Sequence, residues 1–95
     1  MSLLKARIQD DMKAAMRAGE KERLVTIRML LSAIKQREVD ERTETTDTAV
    51  LQILEKLVKQ RRESATQFAA GNRPDLEAKE LGEIVLLQAY LPAAL

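Results

Sequence analysis

The sequence predicts an all-α fold, a compact antiparallel bundle of about four helices. Hydrophobic residues make up 45% of the 95 residues but aromatic residues only 2%, so the core must consist of aliphatic side chains, many of which favour helix. These side chains recur at spacings of three and four, as they do along one face of a helix. Gly and Pro residues separate the periodic segments, and the length indicates one domain over residues 1–95.

The first two helices are predicted over residues 3–18 and 22–39. Ser2 is a suitable N-cap for the first helix, and Gly19 suits the left-handed position that ends it. The connection to the second helix is very short, so the two helices are expected to run antiparallel. The hydrophobic stripe of the second helix contains Leu24, Val25, Ile27, Met29, Leu30, Leu31 and Ile34.

The third and fourth helices are predicted over residues 47–70 and 75–90. A polar connection precedes the third helix, with Thr46 as its N-cap, and Gly71 is expected to end it. Leu81 and Val85 broaden the apolar face of the fourth helix. The residues that we expect to be mostly buried are Leu24, Ile27, Leu31, Ile34, Leu54, Val58, Ile84 and Leu87.

The composition excludes several kinds of functional site. The chain has no His, Cys or Trp, so the usual ligands of zinc, iron–sulfur and haem are missing and a Ser–His–Asp triad is impossible within it. No Gly-rich phosphate-binding loop follows a strand. We therefore expect no catalytic residue, no cofactor and no metal. No apolar run approaches a membrane span and no signal peptide is evident, so the sequence predicts a cytoplasmic protein without a membrane partner.

Charge is distributed unevenly along the chain. The net charge is +1, but residues 1–42 carry +3 and residues 74–95 carry −3. Four basic residues stand seven apart on or beside the second predicted helix: Lys21, Arg28, Lys35 and Arg42. Such a row could follow a phosphate backbone, although a solvated helix face is the plainer interpretation. An anionic partner is expected to approach the early helices.

The segment Lys59–Ser64 on the third helix allows two interpretations. Its Arg side chains could bind phosphate bidentately. Alternatively, Lys59 pairs with Glu55 and Glu63 at i,i+4 spacing, and Arg61 lays its stem along the bundle. A Ser64–Lys59 nucleophile is disfavoured, because an open helix surface rarely lowers the pKa of a lysine. The candidate nucleic-acid-binding residues are Arg28, Lys35, Lys59 and Arg62.

Several stretches of the chain resemble the YqeY family, and together they span nearly all of it. They are Leu3-Leu4 with Asp11–Met16, Thr26–Lys35, Lys59–Ser64 and Tyr90-Leu91-Pro92. The resemblance implies an all-helical N-terminal domain followed by a smaller helical domain. That second domain is similar to the tail of one subunit of the glutamyl/aspartyl-tRNA amidotransferase, and we expect it to be absent from these 95 residues.

The same resemblance implies a role in tRNA-dependent amidation. The family is labelled a carbon–nitrogen ligase with glutamine as amido-N-donor, and the amidotransferase tail is associated with tRNA. The expected function is therefore an accessory module that binds tRNA or a translation or amidotransferase component. Catalysis by this chain alone is left open but is not expected, because no residue is suited to activate glutamine or ATP. A protein–protein scaffold with no RNA role is the alternative.

Overall fold

A computed structural model describes residues 2–92, and helices are the only regular secondary structure in that range. They are α1 (Leu3–Ala18), α2 (Lys21–Glu41), α3 (Asp47–Ala70) and α4 (Pro74–Gln88). The all-α fold class is confirmed, and each helix end lies within two residues of its predicted position. The chain divides into two units, residues 1–53 and 54–95, with α3 running through the boundary. That residues 1–95 form a single domain stays a prediction.

The ends of α1 are fixed by local hydrogen bonds. The Ser2 hydroxyl accepts a hydrogen bond of 2.9 Å from the Lys5 amide, which satisfies one of the donors that a helix leaves free at its start. At the other end, Gly19 has a φ of 69° and its amide bonds back to carbonyls of the last turn. Both predicted caps are confirmed.

In the first unit, α1 and α2 pack as an antiparallel hairpin. Two ion pairs show the direction: Lys5 with Glu38 at 2.9 Å, and Arg23 with Asp11 at 3.9 Å. Because the connection between the helices is short, α2 folds back antiparallel to α1. The buried apolar side chains of this unit are Ile8, Ala15, Ile27, Leu30, Ile34, Ala49, Val50 and Ile53.

The buried face of α2 is narrower than predicted. Ile27 and Ile34 are buried, and Leu24 and Leu31 are mostly buried with a minor exposed fraction, as expected. Val25, expected to extend the stripe, is 64% exposed. Leu30 is completely buried, and Val25 lies ~140° around the helix from it. A helix that faces its core on one side buries a stripe little more than ~100° wide, so Val25 falls outside it.

The end of α2 lies two residues beyond the predicted position. Arg42, not a glycine, adopts the left-handed conformation with a φ of 54°, and its amide bonds to the Glu38 carbonyl. The Thr43 amide bonds to the same carbonyl at 3.2 Å. Because no glycine marks this end and the last turn is polar, the sequence pattern placed the connection too early.

The carboxylate of Glu38 joins three segments of the first unit. Both of its oxygens lie 2.9 Å from Lys5 Nζ. One oxygen also accepts hydrogen bonds from the Thr45 amide at 2.9 Å and from the Thr45 hydroxyl at 3.1 Å. The Thr45 amide, followed by Lys5, lowers the pKa of Glu38 from 4.5 to about 2. We call this set of contacts the Glu38 junction; it ties α1, α2 and the connection before α3 together.

A second carboxylate, that of Asp47, ties the start of α3 to the start of α1. It accepts hydrogen bonds from the Ser2 hydroxyl and, at 3.2 Å, from the Leu4 amide. The Ser2 bond, followed by the Leu4 amide, lowers the pKa of Asp47. The predicted cap of α3 is also confirmed, because the Thr46 hydroxyl accepts from the Ala49 amide at 3.2 Å.

In the second unit, α4 follows the end of α3 through a short turn. Arg61 and Glu83 form an ion pair with a distance of 2.8 Å between the charged atoms. The two residues are equally far along the sequence from the turn, so α3 and α4 run antiparallel there. The left-handed residue of the turn is Asn72, with a φ of 58°, rather than Gly71. Gly71 has a different role: a Cβ there would stand 3.3 Å from the Gln67 carbonyl oxygen.

The apolar face of α4 is likewise narrower than predicted. Leu81 and Val85, expected to broaden that face, are 48% and 68% exposed. The buried apolar side chains of the second unit include four of the residues predicted to be buried. The set consists of Leu54, Val58, Ala65, Ile84, Leu87 and Tyr90.

Replacing Glu38 with Gln is expected to lower the free energy of unfolding by about 1–2 kcal/mol, because Lys5 loses its partner and the Thr45 amide loses a charged acceptor. Urea denaturation near neutral pH measures the change. The matched control is Glu41→Gln, since Glu41 pairs with Arg37 at 2.8 Å on the same helix but is half exposed. The control is expected to cost under ~0.5 kcal/mol. Equal losses in the two variants would contradict the role of the Glu38 junction.

Stability is also expected to fall with acid. A folded-state pKa of about 2 against 4.5 means that the ionised carboxylate favours folding above pH 4.5, and that this contribution disappears as pH falls from 4.5 towards about 2. Asp47 acts in the same direction. Denaturation midpoints of the wild type measured across this range should drop more steeply than those of Glu38→Gln. Parallel profiles would show that Glu38 titrates normally.

Candidate nucleic-acid interface

One side of α2 carries a row of exposed residues that includes three cations. Successive residues of the row are four or three positions apart in the sequence, so they lie along a single side of the helix. We call this row the α2 edge: Lys21, Val25, Arg28, Ser32, Lys35 and Val39, all exposed. From Lys21 to Lys35 it spans ~21 Å of helix. Within residues 2–92, neither Arg28 nor Lys35 forms an ion pair, so both charges face solvent.

The predicted row of four cations is shortened by the structure. Arg42 lies beyond the last residue of α2 and adopts a left-handed backbone. Its side chain therefore does not continue the helical register of Lys21, Arg28 and Lys35. The row on the helix contains three cations, not four.

The electrostatic surroundings of the α2 edge favour an anion. The edge itself contains no carboxylate. The acid nearest in helical position to Lys35 is Glu38, one turn later, whose charge is already compensated by Lys5. A cleft of about 400 Å³ beside Lys35 is lined by Lys5, Glu38, Val39, Thr43 and Glu44 as well. Because two carboxylates line that cleft, a phosphate is better placed on the open edge than inside it.

Two valines interrupt the cations of the α2 edge, and sequence reasoning missed their exposure. Val25 is 64% exposed and Val39 is 58% exposed. The signal was present in the sequence, since both fit the same four-and-three spacing as Arg28 and Lys35. The edge is thus mixed, with apolar and basic positions along one line.

The other two predicted site residues lie on α3 in the second unit. Lys59 and Arg62 are exposed and one turn apart, and neither forms an ion pair within residues 2–92. In the same range, the pairs proposed for Lys59 with Glu55 and Glu63 are not formed, although these carboxylates lie one turn away on either side of it. That Lys59 and Arg62 join the α2 edge in one surface stays a prediction.

The middle residue of that segment, Arg61, has a structural role. Its Nε donates to Glu83 at 2.8 Å and its Nη1 donates to the Leu57 carbonyl at 3.2 Å. The side chains of Arg61 and Glu83 are 16% and 20% exposed. The Arg61 guanidinium therefore links α3 to α4 and is not exposed for phosphate binding. Of the two interpretations of this segment, the structural one fits Arg61 better.

Three further features concern the segment around Lys59, metal-binding clusters and membrane-spanning helices. Lys59 is exposed and no hydrogen bond joins it to the half-buried Ser64. Among residues 2–92, no three His, Cys, Asp or Glu side chains gather where they could hold a metal ion. In the same range, no helix combines the length and the apolar character needed to cross a membrane.

Comparison with known proteins identifies relatives along nearly the whole chain. The most similar include proteins named "Altered inheritance of mitochondria protein 41, mitochondrial". The one from Eremothecium gossypii is 44% identical over 89 residues, which are 93% of this chain and 49% of the relative. The one from Kluyveromyces lactis is 39% identical over 89 residues, with 93% and 48% covered. One from Saccharomyces cerevisiae is 37% identical over 92 residues, with 96% and 48% covered. The chain thus spans about half the length of these relatives.

These names correct the expected location. The relatives are named as mitochondrial proteins, so the prediction of a cytoplasmic protein is wrong. A chain without cysteine fits any reducing compartment and could not single out the cytoplasm. The family model described as "Yqey-like protein" matches residues 5–95. Together with the identity to the fungal relatives, this match shows that the chain belongs to the YqeY family.

Proposed function

We propose that this protein is an accessory module of tRNA-dependent amidation that binds RNA through the α2 edge and does not catalyse the reaction. The observation that carries the proposal is the exposure of Arg28 and Lys35, which form no ion pair with any residue of the described range 2–92 and lie on a side of α2 without a carboxylate. The link to amidation rests on the resemblance between the YqeY family and the amidotransferase tail.

The geometry of the α2 edge suits contacts to a nucleic-acid backbone. Three cations repeat at steps of ~10.5 Å along a rigid helix, and each could neutralise one phosphate. Lys and Arg contacts to phosphate carry no base information, so this edge would provide affinity and orientation and leave specificity to other contacts. The Glu38 junction supports this arrangement, because it keeps Lys5 and Glu38 occupied with each other beside Lys35.

A protein–protein scaffold is the second candidate, and one observation favours it. Val25 and Val39 expose more than half of their side chains between the cations, and phosphate contacts do not need apolar groups. A partner with an acidic and apolar surface would use both kinds of residue. The two candidates differ in how binding responds to RNA and to salt.

The double variant Arg28→Glu, Lys35→Glu is expected to lower affinity for a tRNA transcript by more than about tenfold, because two phosphate contacts become repulsions. Fluorescence anisotropy at several salt concentrations measures it. In the wild type, a plot of log affinity against log salt concentration should have a slope of about −0.7 to −0.9 per phosphate contact. The double variant should lose affinity equally for an unrelated RNA of the same length.

Lys13→Glu, Arg17→Glu is the matched control, since it changes the net charge equally at exposed residues of α1. It should lower affinity much less than the α2 double variant. Equal losses in the two double variants would indicate attraction by net charge alone. Salt-independent binding would favour the protein–protein scaffold over RNA binding. Circular dichroism establishes that each variant keeps its helices.

The chain alone is expected to release no ammonia above the blank when it is incubated with glutamine, ATP and misacylated tRNA. The reason is chemical: the chain has neither Cys nor His, and Lys59 lies exposed on a helix. A coupled glutamate dehydrogenase assay measures the release. Reproducible turnover that disappears in Lys59→Ala or Ser64→Ala would overturn the non-catalytic function.

A further inference from the structure

Ser32 stands at the centre of the α2 edge with an unused hydroxyl group. It follows Arg28 by one turn and precedes Lys35 by one turn, and all three side chains are exposed. A serine inside a helix often bonds the carbonyl one turn earlier, as the Thr66 hydroxyl does with the Arg62 carbonyl at 3.0 Å. The Ser32 hydroxyl forms no such bond within residues 2–92, so it is available to a ligand.

The lengths of these three side chains restrict the ligand. Arg28 and Lys35 are long cations whose Cα atoms lie ~10.5 Å apart along the helix, and the short Ser32 side chain lies between them. An RNA double helix presents a matching profile at its minor groove, which is wide and shallow, displays 2′-hydroxyl groups and is bordered by phosphates. The two cations reach the phosphates on either side of the groove, and the serine hydroxyl faces the sugars between them.

The aromatic side chains of the protein stand away from this edge. The sequence has one Tyr and one Phe, and no Trp. Tyr90 is 9% exposed, and Phe68 is partly buried on α3 in the second unit. Single-stranded RNA is held chiefly by stacking of its bases on aromatic rings or guanidinium planes, and the α2 edge has one such group, that of Arg28. A duplex carries twice as many phosphate charges per length as a single strand, so an edge of cations favours the duplex.

We propose that the α2 edge binds the minor-groove side of double-helical RNA, with Arg28 and Lys35 on phosphates and the Ser32 hydroxyl on a ribose 2′-hydroxyl. The proposal rests on the RNA binding proposed above and names the substrate class of that same surface. The 2′-hydroxyl is both a donor and an acceptor and is the group that distinguishes RNA from DNA, so Ser32 gives the edge its preference for RNA. These contacts read no base, so they do not depend on the sequence of the duplex.

The probes are a blunt RNA duplex of about 16 base pairs, a DNA duplex of the same sequence, and an unstructured single-stranded RNA with the same number of phosphates. Fluorescence anisotropy at one salt concentration measures the affinity of the wild-type chain for each probe. The RNA duplex is expected to bind at least about tenfold more tightly than the single strand, because its charge density is higher. It should bind about fivefold more tightly than the DNA duplex, because one hydrogen bond to the 2′-hydroxyl is added.

Ser32→Ala is expected to lower affinity for the RNA duplex by about fivefold and to leave affinity for the DNA duplex unchanged, because it removes that hydrogen bond. Alanine has the higher helix propensity, so unfolding of α2 would not explain the loss. Ser32→Thr keeps a hydroxyl group and should keep the preference for RNA. The matched control is Thr48→Ala, which removes an exposed hydroxyl in the first turn of α3 and should change neither affinity.

The measurements separate the duplex assignment from the RNA binding on which it rests. If no RNA probe binds, or if the Arg28→Glu, Lys35→Glu variant binds like the wild type, RNA binding by the α2 edge fails and the duplex assignment fails with it. If binding requires both cations but the single strand or the DNA duplex binds as tightly as the RNA duplex, RNA binding stands and the duplex assignment is overturned. The same holds if Ser32→Ala keeps the preference for RNA over DNA.

Discussion

The first unit depends on the ionised carboxylate of Glu38, which is shared by three segments and is only 11% exposed. It receives an ammonium from α1, an amide and a hydroxyl from the connection before α3, and it belongs to the last turns of α2. Such a group stabilises the fold only while all its partners are present, because a shielded charge without partners is costly. Asp47 repeats the arrangement on a smaller scale, since it ties the first turn of α3 to the cap of α1.

Local chemistry explains why the helices could be predicted from the sequence. Ser2, Gly19 and Thr46 form hydrogen bonds at helix ends with residues close by in the chain, and Pro74 favours a helix start through its fixed φ. The sequence alone therefore contains this information. The Glu38 junction and Asp47 could not be foreseen in this way. Lys5 and Glu38 are 33 residues apart in the sequence, and Ser2 and Asp47 are 45 residues apart. Only the folded chain brings these partners together.

The candidate surfaces were predictable to different degrees. The exposed positions of Arg28 and Lys35 agree with a pattern visible in the sequence, whereas the loss of Arg42 from the row depends on where α2 ends. Val85 was expected on the apolar face of α4 but is exposed. The sequence pattern does not distinguish which of two apolar stripes on one helix faces the core.

The role of Glu38 can be tested most directly by an NMR titration of its side-chain carboxyl carbon, with the Thr45 amide proton followed in the same samples. The carboxyl group is expected to titrate with a pKa of about 2, and the Thr45 amide shift should change over the same pH range, because that amide is the largest cause of the lowered pKa. A midpoint near 4.5, with a Thr45 amide that does not respond, would mean that Glu38 is an ordinary solvated carboxylate and does not join the three segments.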